Sequence, residues 1–579
     1  MIVICVILLV ATKSSRKLLS RGGKLSFKNV ILSILFMGLF IVTTYSWYYV
    51  ASDFLPQYIN SYPFQLDDEL KTFNRVSSPI AKSISNMEYK PFKIPAYSLL
   101  EKHRIVQAEN QPCSSIEITD NDSVAASIPF NVNFKGETRM IRKQAIKMLR
   151  EKQYSPIRKC FKDDQTEQIG DIVTSKWYKY NGASVWMDKY EVHFLVSRVV
   201  YSKAQLSHYP TISILYAQIF DRDWKELTDY KFPSTNMSFP SILPVQLDIP
   251  VGSDWFLGAE DPRAIVRDYF NVETQQMDQE PIVIYNTKVQ EIEYRRAMHF
   301  YRPLRKPEES TRLIIKDMPP RYSEKNWAPF IDKDSENHIN FIYNFVPLRV
   351  LKCAIETGAC ELVSGPKFQP KSQQIGSLRG GTNLVPIPAN LLPEKIGKSR
   401  KYWFGIARSM NRKCGCFRTI YRPHAYLISR DIEEEDSYTL DYVSSLLDFN
   451  VDPRAWNKDK QDQKCGDRKS VYIPNSIDSW DFTLITDLAD SEGGGEMEDI
   501  LSMTFSEADI TNSIIYLKGF LIHLLRFLDG NYRTIKKHYQ ETEYNLIVTE
   551  FLGKCSTSLS QQYCEFTCNR RCGKTELTS

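Results

Sequence analysis

The chain has 579 residues, of which 25% are charged and 42% hydrophobic, a globular composition that excludes a disordered chain. Its formal net charge of +5 is small for this length. Much of it collects before residue 29, where Lys13, Arg16, Lys17, Arg21, Lys24 and Lys28 meet no acid, so there is no electrostatic footprint for nucleic acid.

The basic segment 1–29 leads into VILSILFMGLFIVTTYSW, Val30 to Trp47, a run of 18 residues without a charge. That length crosses a bilayer as a slightly short helix, and Trp47, Tyr48 and Tyr49 mark an interface. The expectation is a transmembrane signal-anchor at 30–47, a cytoplasmic tail at 1–29 and a luminal body. A cleaved signal peptide is the alternative, with a weak small-residue site at Val50–Ser52. The opening MIVICVILLVA is apolar but too short to span. Residues 48–110 are polar with scattered Pro and read as a luminal stem before a catalytic region at 111–579.

ETRMIRKQAIKMLREK, Glu137 to Lys152, has helical spacing and mixed charge, as a surface helix would. Short β-branched or aromatic runs follow, among them YEVHFLVSRVVYS, TISILYAQIFD, PIVIYNTKV, TRLIIKDM, KYWFGIARSM and YRPHAYLISRD. Pro, Gly, Asn and Asp punctuate them. A parallel α/β fold needs a helix of about ten residues or more between strands, and those helices are missing. The chain is therefore mainly β, a sandwich, barrel or propeller. Late in the chain Ile514, Leu517, Leu521, Leu524, Leu525 and Leu528 recur at three- and four-residue steps, which predicts a packed terminal helix.

Asn121 and Asn236 begin N-x-S sequons, candidate glycosylation sites in a secretory compartment. Of 12 Cys, Cys5 falls on the expected cytosolic side, leaving an odd number for an oxidising lumen. Cys414 and Cys416 bracket one Gly, and Cys564, Cys568 and Cys572 step by four. The C-x-x-C pairs or paired His of a zinc site are absent, so disulfides of unassigned connectivity are expected.

WFLGAEDPRAIVRDY, Trp255 to Tyr269, sets Glu260, Asp261 and Arg263 side by side ahead of a strand. Pro262 stiffens the turn and Gly258 permits close backbone approach. The bland reading is a surface turn with a local ion pair. The chemical one is a carboxylate poised for proton transfer, with an Arg to orient it or hold an anion.

GAEDPRA resembles the G-x-E-D-P-R signature of glycoside phosphorylases acting on β-mannosides, which are five-bladed β-propellers. EKNWAPF (Glu324–Phe330), NFIYNFVPLRVLKC (Asn340–Cys353) and LRGGTNLVPIP (Leu378–Pro388) follow in the order found there. From about residue 90 onward the chain is similar to the fungal β-mannosyltransferases. These carry an N-terminal anchor, an N-G-A-S-V-W stretch (here Asn181–Trp186), VHFLVSRVVYS, the E-D-P-R turn and YRPHAYL near Tyr421.

The resemblance implies a five-bladed propeller with flanking helices behind the anchor, in the Golgi membrane. It implies transfer of mannose from GDP-mannose to a cell-wall mannan-type oligosaccharide or glycolipid acceptor, forming a β-1,2 bond. GDP-mannose is α-linked, so a β product means inversion. A single displacement then needs a base on the acceptor hydroxyl and donors or positive charge at the departing diphosphate. By the resemblance Asp261 is the proton-transfer carboxylate; Glu260 is the alternative base, with Asp261 then binding sugar hydroxyls. Arg263 orients the acids or contacts the sugar. Lys325, Asn326, Arg379, Arg408 and His424 are the expected binders of substrate, the cations among them facing the leaving group. Arg408 stands near where the phosphorylases place a His, a departure at the anion site. Trp255 and Trp327 are candidates for stacking on sugar or for core packing.

No cofactor is expected on this plan. A divalent ion held by Asp221/Asp223 or Asp332/Asp334 as a D-x-D is the other catalytic plan, and neither pair sits in an α/β nucleotide-binding pattern. Two rival functions stay open: a β-mannoside phosphorylase, if orthophosphate replaces GDP, and a non-catalytic carbohydrate-binding propeller.

Overall fold

The computed structural model of the chain describes residues 87–92 and most of 124–529, apart chiefly from 152–175, 368–377, 452–467 and 483–498. The chain divides into two units, Met1–Val76 and Ser77–Ser579, and every described residue belongs to the second. The expected tail and anchor, Asn121, Trp255 and most of the stem lie outside the described residues. Among the described residues no helix is long and apolar enough to cross a membrane.

The fold is mainly β, built from successive antiparallel groups of strands. The first runs Trp177–Met187, Val192–Tyr201, Ile212–Phe220 and Ser241–Ile242, each strand beside its predecessor. The second runs Glu260–Asn271, Gln276–Val289, Arg295–Tyr301 and Thr311–Arg312. The third runs Ala328–Phe330, His338–Asn344, Arg349–Ala354 and Ala359–Ser364. A ten-stranded sheet holds the remainder. One part of it is Val385–Ile387, Arg400–Cys414, Phe417–Asp431 and Tyr438–Val443. The other is Arg468–Asp481, Ile500–Glu507 and Ser513–Lys518. Parallel pairing of Phe417–Asp431 with Arg468–Asp481 joins the two parts.

That sheet is finished by the beginning of the described chain. Val124–Ser127 pairs with Ser513–Lys518, and Tyr89–Phe92, from within the expected stem, pairs with Val124–Ser127. Apolar packing follows the same closure, since Phe92 and Val124 share one core with Phe404, Tyr472, Leu501 and Phe520. Val192–Tyr201 and Ile212–Phe220 are buried along their whole length. With both faces covered, their sequence lacks the polar alternation of a half-exposed strand.

Two helical expectations met different fates. Glu137–Met148 is helical, close to the expected span. The predicted helix over 514–528 is only half a helix: Ser513–Lys518 is a strand, Gly519 turns at φ 82°, and 520–529 is helical. Ile514 to Leu517 are buried on both faces of a strand, so apolar residues at every position imitated the helical spacing.

Neighbouring groups are stitched by small polar side chains on the strands and in the connections before them. Ser476 Oγ accepts from Ser184 N at 2.6 Å, and Asn383 exchanges two hydrogen bonds with the Ile477 backbone. Asn512 Oδ1 accepts from Gly182 N at 2.7 Å. A Cβ on Gly182 would stand 2.9 Å from Asn512 Cγ, so this position requires the close approach that glycine allows.

Of the expected disulfides one falls on described residues. Cys353 and Cys360 face each other across the hairpin of Arg349–Ala354 and Ala359–Ser364 and are bonded. Asn236 lies in an exposed bend between Ile212–Phe220 and Ser241–Ile242.

Candidate active site

The strand groups bring to one pocket the side chains of Asn181, Arg198, Asp261, Lys325, Asn326 and Arg379. Arg408, Ser409, Met410, Tyr421, Val471, Ile473 and Asp509 complete its lining. The chain reaches this pocket through backbone turns that few residues tolerate. Asn181, Asp261, Asn326 and Asp509 all have positive φ, between 51° and 63°, and Gly380 and Gly381 stand at 34° and 114°. Asn, Asp and Gly accept this left-handed conformation most readily. Each non-Gly residue held there costs about 1–3 kcal/mol, a strain that collects at functional sites. A Cβ on Gly381 would meet the Ile406 carbonyl at 2.0 Å, so no other residue fits there.

The E-D-P-R turn divides its three charged groups among three tasks. Glu260 is buried and ion-paired on both oxygens, to Arg198 at 2.8 Å and Arg296 at 3.0 Å. Asp261 turns into the pocket and keeps its side chain 25% exposed. Its Oδ1 accepts from Asn181 Nδ2 at 3.2 Å and lies 3.5 Å from Arg198. Arg263 points away from solvent, donating from Nε to the Gly381 carbonyl and from Nη1 to the Pro262 carbonyl. It therefore clamps the Gly-Gly turn onto the Asp261 strand. Burial pushes its pKa down to about 10, against the attraction of Asp261 and with the repulsion of Arg408, so it stays charged at neutral pH.

Burial alone would raise the Asp261 carboxyl. The guanidinium groups of Arg198, Arg408 and Arg263 and the Lys325 ammonium outweigh it and hold the carboxyl below its ordinary value. Asp261 is thus ionised at neutral pH and ready to accept rather than donate a proton. Burial would likewise weaken the Arg198 charge, but Glu260, Tyr180, Asp261 and Asp509 surround it and keep it firmly protonated.

The cations form a cradle beside this acid. Arg379 and Arg408 exchange backbone hydrogen bonds at 2.9 and 3.2 Å, and Arg408 Nη2 donates to Asn326 Oδ1 at 2.6 Å. Lys325 adjoins Asn326 and lines the same pocket. Four cations lie within one concave site that also carries the apolar faces of Tyr421, Val471 and Ile473. Such a cradle suits a phosphate-bearing group.

Not every expected residue reaches the pocket. His424 is fully buried behind its wall, with Nε2 2.7 Å from Ser409 Oγ and Nδ1 3.1 Å from the Ser444 carbonyl. Burial pushes its pKa down to about 4, so it is neutral and carries no charge for an anion. Its contact with the site runs through Ser409. Trp327 is core: its Nε1 donates to Glu324 and its ring packs on Phe341 and Tyr343. Neither D-x-D lines the pocket. Asp221 closes a turn by accepting from Asp223 N and Lys225 N. Asp332 and Asp334 pair with Arg430 and Lys401.

Sequence reading passed over two charged residues of the site. Arg198 hides inside the apolar run HFLVSRVVYS, where a lone charge in an all-buried strand is the signal. Asp509 lies in the turn SEADITN, which has the composition of any loop.

A family model described as beta-mannosyltransferases matches residues 112–302 and 305–563. The chain belongs to the β-mannosyltransferase family and is a glycosyltransferase. It is 41% identical over 515 residues to beta-mannosyltransferase 3 of Candida albicans, covering 88% of each chain. With beta-mannosyltransferase 4 of Komagataella phaffii it shares 35% over 411 residues, 70% of this chain and 73% of the other. With beta-mannosyltransferase 1 of that species it shares 31% over 442 residues, 70% and 64% of the two chains. A thermostable family-43 glycoside hydrolase aligns at 12% identity over 61% of this chain and 91% of its own, with a TM-score of 0.25, too low to carry an assignment.

Proposed function

We propose that the protein transfers mannose from GDP-mannose to a mannoside acceptor with inversion, forming a β-1,2 bond in cell-wall mannan or a related glycoconjugate. The observation that carries this reading is the pocket itself, an ionised carboxylate set among Arg198, Lys325, Arg379 and Arg408. Attack by an acceptor hydroxyl releases a proton, which the pocket carboxylate Asp261 serves to remove. Negative charge grows on the departing diphosphate, where the cations lower the barrier. Glu260, with both oxygens ion-paired, holds Arg198 in place and leaves Asp261 for the chemistry.

We infer further that the strand groups are the blades of a five-bladed propeller. Supporting this, five antiparallel groups follow in order, and the last is completed by Val124–Ser127. The proposed setting is the Golgi membrane, with 30–47 as a single-pass anchor and the catalytic region in the lumen. The Cys353–Cys360 bond and the exposed sequon at Asn236 support an oxidising, secretory compartment.

The test is to supply the full-length protein in detergent with GDP-mannose and a short α-mannoside, and to read the new anomeric proton by NMR. A β-mannosyl signal that survives a chelator, and is lost at least 1000-fold in rate in Asp261→Asn while GDP still binds, is the expected result. Transfer that stops with chelator returns the metal plan. Turnover only with orthophosphate makes the protein a phosphorylase instead.

A further inference from the structure

Two of the residues lining the pocket are acids, and only one of them belongs to the E-D-P-R turn. The other, Asp509, sits between the strands Ile500–Glu507 and Ser513–Lys518, in a turn fixed from three sides. Ala508 N donates to the Val471 carbonyl at 2.9 Å, Ile510 N to the Glu507 carbonyl at 3.0 Å, and Glu507 N to Thr511 Oγ1 at 3.0 Å. Asp509 itself has φ 54°, so the backbone accepts a strained conformation to present this side chain.

The acids nearest Arg198 are not equally free. Both Glu260 oxygens are ion-paired, and Asp261 Oδ1 is shared between Asn181 and Arg198. No hydrogen bond or ion pair among the described residues claims the Asp509 carboxylate, which is half-buried at the pocket wall. A carboxylate without a protein partner, held rigidly toward a substrate pocket, has its acceptor capacity left for the substrate.

We propose that Asp509 is a second catalytic carboxylate of this site, and that it forms with Asp261 a pair facing Arg198 which takes up the proton of the attacking hydroxyl. This rests on the transferase reading above and divides its proton step between two groups. The acceptor O–H bond breaks and its electron pair forms the bond to the anomeric carbon. The bond from that carbon to the diphosphate oxygen breaks, and the diphosphate leaves with the pair. Asp261 accepts the hydrogen bond of the reacting hydroxyl and takes its proton as the new bond forms, then passes it to Asp509, where it comes to rest.

The charges around Asp509 agree with this division. Withdrawal from water raises its carboxyl most, Arg198 and Arg408 oppose the rise, and Asp261 and Glu260 add to it, leaving a pKa of about 6. Tyr180, buried and neutral, is a further titratable neighbour, and Lys325, Arg379 and Tyr421 line the same pocket. Two carboxyls in one pocket are thus driven apart, one held ionised and one near the working pH, the pattern by which one site separates its proton roles. A base works best when its proton affinity lies near ambient pH.

The experiment compares full-length wild type, Asp509→Asn and Asp509→Glu across pH 5 to 8, with GDP-mannose and an α-mannoside acceptor. The wild type should lose kcat/KM as pH falls through about 6, because Asp509 must be ionised in the free enzyme. Asp509→Asn should lower kcat on the order of 100-fold, leave the donor KM within about threefold and remove the limb near pH 6. An Asn variant with wild-type kcat and an unmoved acid limb overturns the pair. Should Asn lower the melting temperature enough to obscure the rate, Asp509→Glu decides: a displaced acid limb supports the pair, and a wild-type profile overturns it. Wild type that transfers nothing from GDP-mannose sinks the transferase reading, and the pair with it.

Discussion

Arg263 donates its Nε–H to the carbonyl of Gly381, 118 residues further along the chain. Two sequence motifs that look independent, E-D-P-R and R-G-G-T, are thereby one structural unit. The buried guanidinium holds the strand that carries Asp261 against the turn that carries Arg379, so acid and anion cradle are set at a fixed spacing.

Arg263→Lys tests that clamp. An ammonium on a flexible stem cannot serve the Gly381 and Pro262 carbonyls together with the planar geometry of a guanidinium. The expected loss is about 1–3 kcal/mol of stability, the cost of a buried carbonyl left unmade. Turnover should fall more than tenfold, since small misplacements of reacting groups are expensive. Thermal melts and steady-state rates measure the two effects, and an active, stable Lys variant would rule the clamp out.

Arg408 is both an anion ligand in the proposed mechanism and the partner of Asn326. Removing a charge-assisted contact of about 1.5–3 kcal/mol should weaken GDP binding roughly 10- to 150-fold in Arg408→Ala. Calorimetric titration with GDP reads this directly. Equal affinity in the variant would place the diphosphate elsewhere.

His424 gives a stability prediction with a definite sign. Its pKa in the folded protein, about 4, lies below the 6.5 of an ordinary imidazole. The unfolded chain therefore binds a proton first as pH falls, and the stability due to neutral His424 is present above about 6.5 and lost on the way down to 4. Replacement by Gln, which keeps polar contacts to Ser409 and the Ser444 carbonyl, should flatten the fall in melting temperature between pH 6.5 and 4.5. It should leave the rate at pH 7 within a few-fold, because the imidazole does not line the pocket. An unchanged pH slope in the variant would show that His424 does not govern acid sensitivity.

What was legible in the sequence follows in part from what the backbone demanded. The pocket turns need left-handed residues, and Asn, Asp and Gly supply them most cheaply; E-D-P-R was marked by its own residues, whereas N-G-A-S, K-N-W and R-G-G-T were reached through the family resemblance. Strand identity was equally plain where β-branched and aromatic residues clustered. The stretch Ile514–Leu528 failed because burial on both faces erases the difference between periods of 2 and 3.6, and the single break at Gly519 is an ordinary letter. His424 failed for another reason. Nothing in YRPHAYL tells whether the imidazole faces the pocket or the layer behind it, since that depends on Ser409 and Ser444 in neighbouring strands. Asp509 was invisible because its importance comes from which strands flank it.

The closure between Val124–Ser127 and Ser513–Lys518 has a meaning during synthesis. Ser127 Oγ accepts from Tyr516 N across 389 residues of chain. At about 5–20 residues per second, a ribosome needs on the order of 20–80 s to deliver the partner. For that interval the early strand has an open hydrogen-bonding edge and the shared core lacks one wall, so the nascent protein depends on whatever shields an unpaired strand until its mate arrives.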